Sequence, residues 1–513
     1  MPWASTSWLH GSRKSTHSVS RITVDLQRPV GTVDPRIFGQ FIEHLGRCIY
    51  GGIYDEGSPL SDANGFRTEV LKVARQLRAP ILRWPGGNFV SGYHWTDGIG
   101  PKDERPRRIE LAWHDEEPNR FGTVEFIEYC RTLGTEPYIC LNLGTGTPDE
   151  AAGWVEYCNG AGNTYWANLR RSHGYDEPFN VKYWGLGNEM YGPWQIGAKT
   201  ADEYVRFATE FAKIIHWVDP TAELVSCGQT GWQDWDQTVI EGLAKYVRYH
   251  SIHIYTGSDD HWTNVIEPEQ SDRAIRMTRT HIDRARLNQS IQHEIGIAYD
   301  EWNVWFRNKL SPLEEQYTLS DALAVATFLN IFLHHADSVK VANFAQMVNV
   351  IAPIFTNSDG LFLQTIFHPL RLYAEHTGPV ALDCHIVGDE TEHRYIESAL
   401  RAANGLIKVR DRGPFTMVHA AGTRSEDGRS LTLTVVNRSP TEAITVPLEL
   451  IHGMAEGSTQ VSVVTGSDPS VRNSFEAPDN VGVTEHRLEL AGDLLALQLP
   501  ACSISVYRIP MSA

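Results

Sequence analysis

The sequence predicts an α/β protein in which a (β/α)8 TIM barrel is followed by an antiparallel β-sandwich of jelly-roll-like type. From about residue 35 to 350, short apolar runs alternate with amphipathic helical patterns, which is typical of a parallel sheet with crossover helices. Eight such runs can be distinguished, the number that closes a barrel of this kind. After about residue 370, apolar residues recur at every second position between turn residues, as in an antiparallel sandwich.

The predicted barrel strands are short and rich in β-branched and aromatic residues. They cover residues 37–43, 81–84, 137–143, 181–186, 223–227, 251–255, 296–300 and 339–344. Helical spacing of apolar residues marks stretches between them, among them 124–133 and 204–215. The run Thr200-Ala-Asp-Glu203 predicts a capping box at the start of the second of these helices. Because a doubly wound open sheet shows the same alternation, the placement of functional residues must decide between the two folds.

The carboxyl-terminal strands and the chain ends complete the predicted organisation. Alternating strands are predicted at residues 430–436, 460–464, 486–490, 494–499 and 503–507. Residues 21–25 show the same alternation and predict an edge strand of that sandwich. The division is therefore a disordered tail at 1–20, a joining strand at 21–34, the barrel at 35–370 and the sandwich at 371–513. A transit-type leader is the alternative for the tail.

Composition excludes several classes of partner. The chain of 513 residues carries 63 acidic and 45 basic residues, so its net charge of -18 disfavours binding to nucleic acid. No apolar run is long enough for a bilayer, so we expect no membrane contact. The seven cysteines are scattered without C-x-x-C spacing, which predicts buried free thiols in a reducing compartment. With no apolar secretory signal at the amino end, the predicted location is the cytoplasm.

Polar residues stand where the predicted barrel strands end. In a barrel of this type the chemistry lies at the carboxyl ends of the strands, so these residues form one candidate site. They are Glu43, Arg83, Asn88, Asn188, Glu189, His253, Tyr255 and Glu301.

Two of these residues, Glu189 and Glu301, end the fourth and seventh predicted strands. We expect their carboxyl groups to lie roughly 5 Å apart, the separation used by retaining glycosidases. Glu301 is the predicted nucleophile, kept ionised by Arg83 and hydrogen-bonded by Tyr255. Glu189 is the predicted acid/base, a role for which we expect a raised pKa in the free enzyme.

Other side chains have expected roles around this pair. Asn188 is placed to bind a sugar 2-hydroxyl, and Glu43 and Asn88 to bind other hydroxyls or, alternatively, to brace the strands. Trp95, Trp113 and Trp305 either shape the pocket or pack structurally. His44 and His253 suggest a metal, but no ligand-type spacing accompanies them, so neither a metal nor another cofactor is expected.

The motifs that carry these residues resemble glycoside hydrolase family 51, the α-L-arabinofuranosidases. The matching stretches are FGQFIEH at 38–44, LRWPGGNF at 82–89, WGLGNEM at 184–190, DEWNVW at 300–305 and AQMVNVIAP at 345–353. The glycine-asparagine-glutamate element alone indicates only the wider clan of retaining barrel glycosidases. Its combination with the first and second strand motifs indicates this family.

The resemblance implies retention of configuration and exo release of L-arabinofuranose from arabinan, arabinoxylan or short oligosaccharides. It makes Glu189 the acid/base and Glu301 the nucleophile. It also implies a sugar pocket lined by Glu43, Arg83, Asn88, Trp113, Asn188, His253, Tyr255, Trp305 and Gln364. Gln346 offers a second glutamine for the last of these places. A homo-oligomer, commonly a hexamer, and a cytoplasmic location are further implications.

Two alternatives to this function stay open. The chain is an endo-β-glucanase or β-xylosidase of the same family, or a catalytically silent barrel that binds carbohydrate. Loops on the leaving-group side, such as 95–117 and 191–199, are where differences in substrate are expected to arise.

Overall fold

A computed structural model describes residues 21–307, 313–387 and 415–512 of the chain. The tail predicted at 1–20 lies outside these ranges. The strands are β1 Arg21–Thr32, β2 Gly39–Phe41, β3 Ile81–Trp84, β4 Arg108–Ile109, β5 Glu116–Glu117, β6 Glu136–Cys140, β7 Tyr183–Leu186, β8 Glu223–Ser226, β9 Tyr249–Thr256, β10 Gly296–Val304, β11 Val339–Ala345, β12 Ile354–Thr356, β13 Leu361–Leu363, β14 Val380–Val387, β15 Val418–Arg424, β16 Ser430–Asn437, β17 Ile444–Ile451, β18 Ala455–Thr465, β19 Gly482–Gly492, β20 Leu494–Leu499 and β21 Ser503–Pro510. The α-helices are α1 Thr68–Ala74, α2 Thr123–Leu133, α3 Pro148–Asn159, α4 Tyr165–Ser172, α5 Ala201–Val218, α6 Asp234–Leu243, α7 His261–Ile266, α8 Gln270–Gln289, α9 Leu319–His334 and α10 Phe367–His376.

Eight strands form the closed parallel barrel that the sequence predicts. Neighbours pair in the order β2, β3, β6, β7, β8, β9, β10 and β11, and β11 returns to β2. Each predicted strand overlaps an observed one, and β3 has the predicted bounds. The prediction is wrong at the end of β10, which continues beyond Asp300 to Val304. The closed order excludes the doubly wound alternative.

One end of the barrel is closed by its own side chains. The interior there is filled by Ile81, Tyr138, Tyr183, Val225, Tyr249, Ala298 and Val341, the layered packing typical of these barrels. Nη1 of Arg36 donates hydrogen bonds to the hydroxyls of Tyr183, at 2.7 Å, and Tyr249, at 2.9 Å. Asp34 pairs with the same guanidinium. A ligand can therefore enter the barrel only from the opposite end.

The helices begin and pack as their sequences require. The predicted capping box opens α5: Oγ1 of Thr200 accepts from the amide of Glu203, whose carboxylate accepts from the amide of Thr200 at 2.9 Å. By contrast, α9 is apolar on all sides and is buried from Leu319 to Leu333. Such a helix needs cover all round, and α9 contacts β10 on one side and β15 on the other.

The remaining long strands form one nine-stranded sheet that curls around a core of its own. Its order is β19, β18, β21, β16, β15, β14, β1, β17 and β20, antiparallel except where β1 meets β17. Every strand contributes to the enclosed core, which makes this the predicted sandwich. The strand predicted at 21–25 does join it, but as β1 it lies between β14 and β17 rather than at an edge.

The barrel and the sheet share buried surface. Helix α10 spans the predicted boundary at residue 370 and contacts α9 as well as β18 and β21, so the division at 370 stays a prediction. All seven cysteines are free and buried, as predicted. Within the described ranges, no helix combines the length and apolarity needed to cross a membrane.

Candidate active site

Glu189 and Glu301 face each other at the open end of the barrel. Glu189 follows β7 and Glu301 lies in β10, and a carboxylate oxygen of each lies within 4.8 Å of the other. That spacing is close to the separation in retaining glycosidases, about 5–5.5 Å, and below the roughly 6.5–9.5 Å of inverting ones.

Glu301 is aimed into the barrel by a bulge in β10. The register against β9 shifts between Ala298 and Glu301, so Asp300 and Glu301 both face inward although they are adjacent. Nη1 of Arg83 donates to Oε2 of Glu301 at 2.9 Å, and the hydroxyl of Tyr255 donates to Oε1 at 2.8 Å. These are the two contacts that the sequence predicts for Glu301.

Glu189 stands on a strained turn. Its φ of 44° is in the left-handed region and follows Gly187 at 83°, which turns the chain sharply after β7. Its carboxylate accepts from the indole of Trp194 at 3.0 Å and the hydroxyl of Tyr191 at 3.2 Å. Nδ1 of His253 lies 3.1 Å from its Oε1.

The pKa of Glu189 differs from the expected one. Burial raises this pKa, but the contact with His253 and the hydrogen bonds from Trp194 and Tyr191 together bring it below its ordinary value. The expectation of a raised pKa is therefore wrong for the free chain. The proton for acid catalysis must be considered for Glu189 and His253 together.

Arg83 connects the parts of the site from inside the barrel. Its side chain is fully buried and contacts the ring of Phe41, with 4.5 Å from the guanidinium carbon to the ring centroid. Besides binding Glu301, it donates to Oδ1 of Asn188 at 2.6 Å. Among the described residues nothing accepts a hydrogen bond from Nδ2 of Asn188, although that atom is buried. An unused buried donor beside the carboxylates suits a sugar hydroxyl.

Glu43 is a third carboxyl group of the site. It accepts from the amide of Phe89 at 3.1 Å, the indole of Trp113 at 3.2 Å and Nε2 of Gln346 at 2.9 Å. A β-carbon on Gly87 would lie 2.6 Å from its Oε2, which explains the glycine there. Burial, and then the negative charge of Glu301, raise the pKa of Glu43 to about 8. Both of its oxygens accept hydrogen bonds in the structure, one from Gln346 and the other from Phe89 and Trp113.

Glu189, His253 and Glu301 each offer one possible metal-ligand atom, and these three atoms lie close enough together to bind a cation. Their charge pairing accounts for this closeness, since Nδ1 of His253 lies 3.1 Å from Oε1 of Glu189 and 3.6 Å from Oε2 of Glu301. The imidazole thus supplies the positive charge between the carboxylates.

Comparisons with known proteins agree with this geometry. Residues 73–273 match the family model "Alpha-L-arabinofuranosidase 1 domain", and residues 300–503 match "Alpha-L-arabinofuranosidase C-terminal domain". The chain is 42% identical to alpha-L-arabinofuranosidase C of Emericella nidulans, over 97% of this chain and 99% of that protein. It is 40% identical to an intracellular exo-alpha-(1->5)-L-arabinofuranosidase of Halalkalibacterium halodurans, covering 84% of this chain and 87% of the relative.

Solved structures give the same result. An α-L-arabinofuranosidase from Thermotoga maritima in an arabinose complex aligns with a TM-score of 0.84 at 41% identity, covering 96% of this chain and 100% of that one. The chain belongs to the α-L-arabinofuranosidases of glycoside hydrolase family 51. For this arabinofuranosidase, the fold prediction is confirmed.

In this arabinofuranosidase most of the predicted site residues come together. Asn88 borders the cluster and accepts from Nε2 of Gln195 at 2.7 Å. The ring of Trp305 meets that of Tyr255 edge to face, 5.4 Å between centroids. Trp113 reaches Glu43, as described above.

Gln364 is the predicted residue that the structure does not bring to the arabinofuranosidase site. Its Nε2 donates to the backbone oxygens of Glu315 and Ala352, at 3.0 and 2.9 Å, and its Oε1 accepts from the amide of Tyr317. These bonds occupy the whole amide, so Gln364 braces the loops. Gln346, the second glutamine, contacts Glu43 instead.

The sequence reasoning missed Asp300, Tyr191 and Trp194. Tyr191 and Trp194 lie just after the glycine-asparagine-glutamate motif, and this closeness in sequence could have indicated that they contact Glu189. Asp300 has no such signal. In a regular strand adjacent side chains point to opposite faces, so if Glu301 faces the barrel axis, Asp300 is expected to point away from it.

Two candidate site residues, the aromatic Trp95 and the possible metal ligand His44, have structural roles instead. Trp95 is buried and stacks on Trp154, with centroids 5.9 Å apart and planes at 5°. His44 lies between Glu117, 2.7 Å from its Nδ1, and the indole N–H of Trp84, 3.0 Å from its Nε2. Since an indole nitrogen only donates, Nε2 of His44 is the acceptor in its contact with Trp84.

Proposed function

We propose that this arabinofuranosidase releases terminal α-L-arabinofuranose from arabinose-containing glycans with retention of configuration. Glu301 is the nucleophile and Glu189 the acid/base. The observation that carries the proposal is the approach of their carboxylate oxygens to within 4.8 Å, too close for a water molecule to attack from between them as inversion requires.

The surroundings support a separation of roles. Arg83 and Tyr255 keep Glu301 ready to attack, since both donate to its carboxylate. Asn188, with its unused Nδ2, binds the sugar 2-hydroxyl, a hydrogen bond that strengthens as positive charge develops at the anomeric carbon. Glu43 and Asn88 bind further hydroxyls.

A panel of aryl glycosides tests the function, with the product anomer followed by NMR. We expect hydrolysis of the α-L-arabinofuranoside with initial release of the same anomer. The β-D-xyloside and β-D-glucoside test the alternative activities within the family, and the β-D-galactofuranoside tests ring selectivity. An inverted first product would refute the two-step mechanism, and binding of arabinose without turnover would support a silent barrel.

A further inference from the structure

His253 is surrounded by three carboxyl groups. Its Nδ1 lies 3.1 Å from Oε1 of Glu189 and 3.6 Å from Oε2 of Glu301, and its Nε2 lies 3.3 Å from Oδ1 of Asp300. Arg83, the nearest other cation, is bound to Glu301 and lies 3.7 Å from Oδ2 of Asp300. His253 therefore bridges the acid/base and the residue before the nucleophile.

Asp300 is anchored more firmly than a chance neighbour would be. It is buried, accepts a hydrogen bond from the hydroxyl of Tyr138 at 2.7 Å and another from Ser251. Burial alone would raise its pKa, but the charge of Arg83 and the contact with His253 hold that pKa well below its ordinary value. Asp300 is thus a fixed carboxylate. A carboxylate can only accept a hydrogen bond, so Nε2 of His253 must be the donor.

Both ring nitrogens of His253 face carboxylate oxygens, so the free chain favours the doubly protonated ring. The negative charges around it raise the pKa of His253 to about 10 even though burial lowers it. Glu43, the next acid of the site, is hydrogen-bonded to Phe89, Trp113 and Gln346 rather than to His253.

We propose that His253 stores the proton that Glu189 delivers to the leaving group, and that Asp300 is the positioning residue that maintains His253 in this state. The inference rests on the proposed function, because it concerns the proton used in that reaction.

The proton balance of the two steps follows. In the first step an oxygen of Glu301 bonds to the anomeric carbon and the bond to the leaving oxygen breaks. A proton passes from Nδ1 of His253 to Glu189, and Glu189 protonates the leaving oxygen. In the second step a water oxygen bonds to the anomeric carbon, the ester to Glu301 breaks, and the proton of that water returns through Glu189 to Nδ1.

Charge is conserved in this scheme. Glu301 loses its negative charge on forming the ester in the same step in which His253 loses its positive one. A buried site thereby avoids a change of net charge, which is costly in a low-dielectric interior.

The first test compares Asp300→Asn with Ser251→Ala, which removes a different partner of Asp300. The readout is the pH profile of kcat/KM on an alkyl α-L-arabinofuranoside, whose departure needs a proton. We expect the basic limb of Asp300→Asn to fall by about one pH unit or more, because one anion facing His253 is gone. Ser251→Ala keeps the carboxylate that faces His253 and removes only one of its anchors, so its basic limb should move less than that of Asp300→Asn. Equal limbs in all three proteins, with only the rate reduced in Asp300→Asn, would overturn the proposal.

The second test does not need the Asp300 variant to fold. Nitrogen NMR of the full chain with labelled histidine should show a doubly protonated ring at pH 8 that is absent from the spectrum of His253→Gln. Trapping Glu301 as an ester with an activated 2-fluoro-arabinofuranoside should convert that ring to the neutral form. A neutral His253 in the free chain, or no change on trapping, would overturn the inference. Failure of the proposed function is distinct, because it would appear as absent turnover of arabinofuranosides by the unaltered chain.

Discussion

Glu189 and Glu301 are the same side chain held by different partners. Glu301 is bound by a guanidinium that cannot lose its proton and by a phenol whose pKa burial and the charge of Glu301 raise. Glu189 instead touches an imidazole, which can exchange a proton with it. The side-chain partners of Glu301 therefore donate hydrogen bonds to it, whereas a partner of Glu189 can also exchange a proton with it.

Azide should reveal this difference. In Glu189→Ala the glycosyl-enzyme forms from an activated aryl arabinofuranoside but water is not activated, so azide should restore turnover and give the α-L-arabinofuranosyl azide. In Glu301→Ala no ester forms, and azide attacks directly to give the β azide. Both variants should lose at least about 10³-fold in kcat without azide. NMR of the azide product checks the assignment, and exchanged anomers would reverse the two roles.

Glu43 offers a test of burial at a single residue. Its pKa is about 8 in the folded chain against 4.5 ordinarily, so between these values the folded state binds more protons than the unfolded state. The free energy of unfolding then falls as pH rises, by up to about 1.4 kcal/mol per pH unit. Glu43→Gln removes this loss, and Gln346 can accept from the new amide through its Oε1.

We therefore expect the stability of Glu43→Gln relative to that of the unaltered chain to increase by roughly 3–4 kcal/mol from pH 5 to pH 8. Urea unfolding at the two pH values measures the difference. A constant difference would mean that Glu43 ionises near its ordinary pKa. In either case binding of arabinose should weaken, since a sugar hydroxyl loses its partner.

Sequence motifs located the residues on strand ends but not the glutamine of the site. Gln346 and Gln364 both follow the last barrel strand, and the sequence alone allowed either of them to be the glutamine of the sugar pocket. Only the loop conformation separates them: the amide of Gln364 satisfies backbone groups, whereas Gln346 reaches Glu43. Such a choice depends on contacts between loops, which no local pattern encodes.

At the scale of elements, the strand β10 departs most from its predicted form. The short apolar run at residues 296–300 correctly predicted its existence and its start at Gly296, and in a regular strand successive side chains alternate between the faces with a period of two. The bulge after Ala298 breaks that period and turns both Asp300 and Glu301 toward the axis. Trp302 then points outward and packs on Phe328 of α9, with 5.1 Å between ring centroids. One extra residue thus gives the site two carboxylates from one strand.

Two loops border a cavity beside Glu189. The hairpin of β4 and β5 contributes Leu111, and the loop after β7 contributes Trp194 and Ile196 to a space of about 360 Å³. None of the described residues that line the cavity carries a charge. Trp194 is 59% exposed. Because Trp194 also donates to Glu189, the cavity lies where the leaving group must depart. An uncharged wall with an exposed indole suits a neutral sugar ring.

Two substitutions at Trp194 separate its functions. Trp194→Phe keeps a flat ring but removes the N–H, whereas Trp194→Ala removes both. With an arabino-oligosaccharide we expect Trp194→Ala to raise KM about tenfold, equivalent to about 1.4 kcal/mol, and Trp194→Phe to change KM little. Steady-state kinetics check this, with an aryl arabinofuranoside as the comparison. If Phe raises KM as much as Ala does, the ring does not bind the leaving group.

At the scale of the whole molecule, the spacing of apolar residues predicted the barrel and the sandwich but not the interface between them. The switch from helical alternation to period two near residue 370 identified barrel and sandwich. Buried residues such as Val464, Ile504 and Val506 of the sheet belong to the same core cluster as the barrel helices. Their apolar character fits either a sandwich interior or an interface, so the sequence could not show which face of the sheet meets the barrel.

That interface holds two histidines, His368 buried and His334 half-buried, that should govern stability in acid. Nε2 of His368 on α10 lies 2.9 Å from the backbone oxygen of Val481, and Nε2 of His334 on α9 lies 2.8 Å from that of Ala420. Burial lowers the pKa of both, that of His368 to about 4 from 6.5. Below pH 6.5 the unfolded chain binds protons that the folded chain does not, so stability falls as pH decreases toward 4.

Replacing His368 should remove its part of this loss. In His368→Gln the amide can still donate to Val481, but it does not titrate. We expect the variant to gain roughly 2–3 kcal/mol relative to the unaltered chain between pH 7 and pH 4, measured by urea unfolding at both values. His486→Gln, at an exposed histidine of the same sheet, is the matched control for the substitution itself. Parallel stabilities for His368→Gln as well would show that His368 is protonated within the fold, and that the interface tolerates a charge between barrel and sheet.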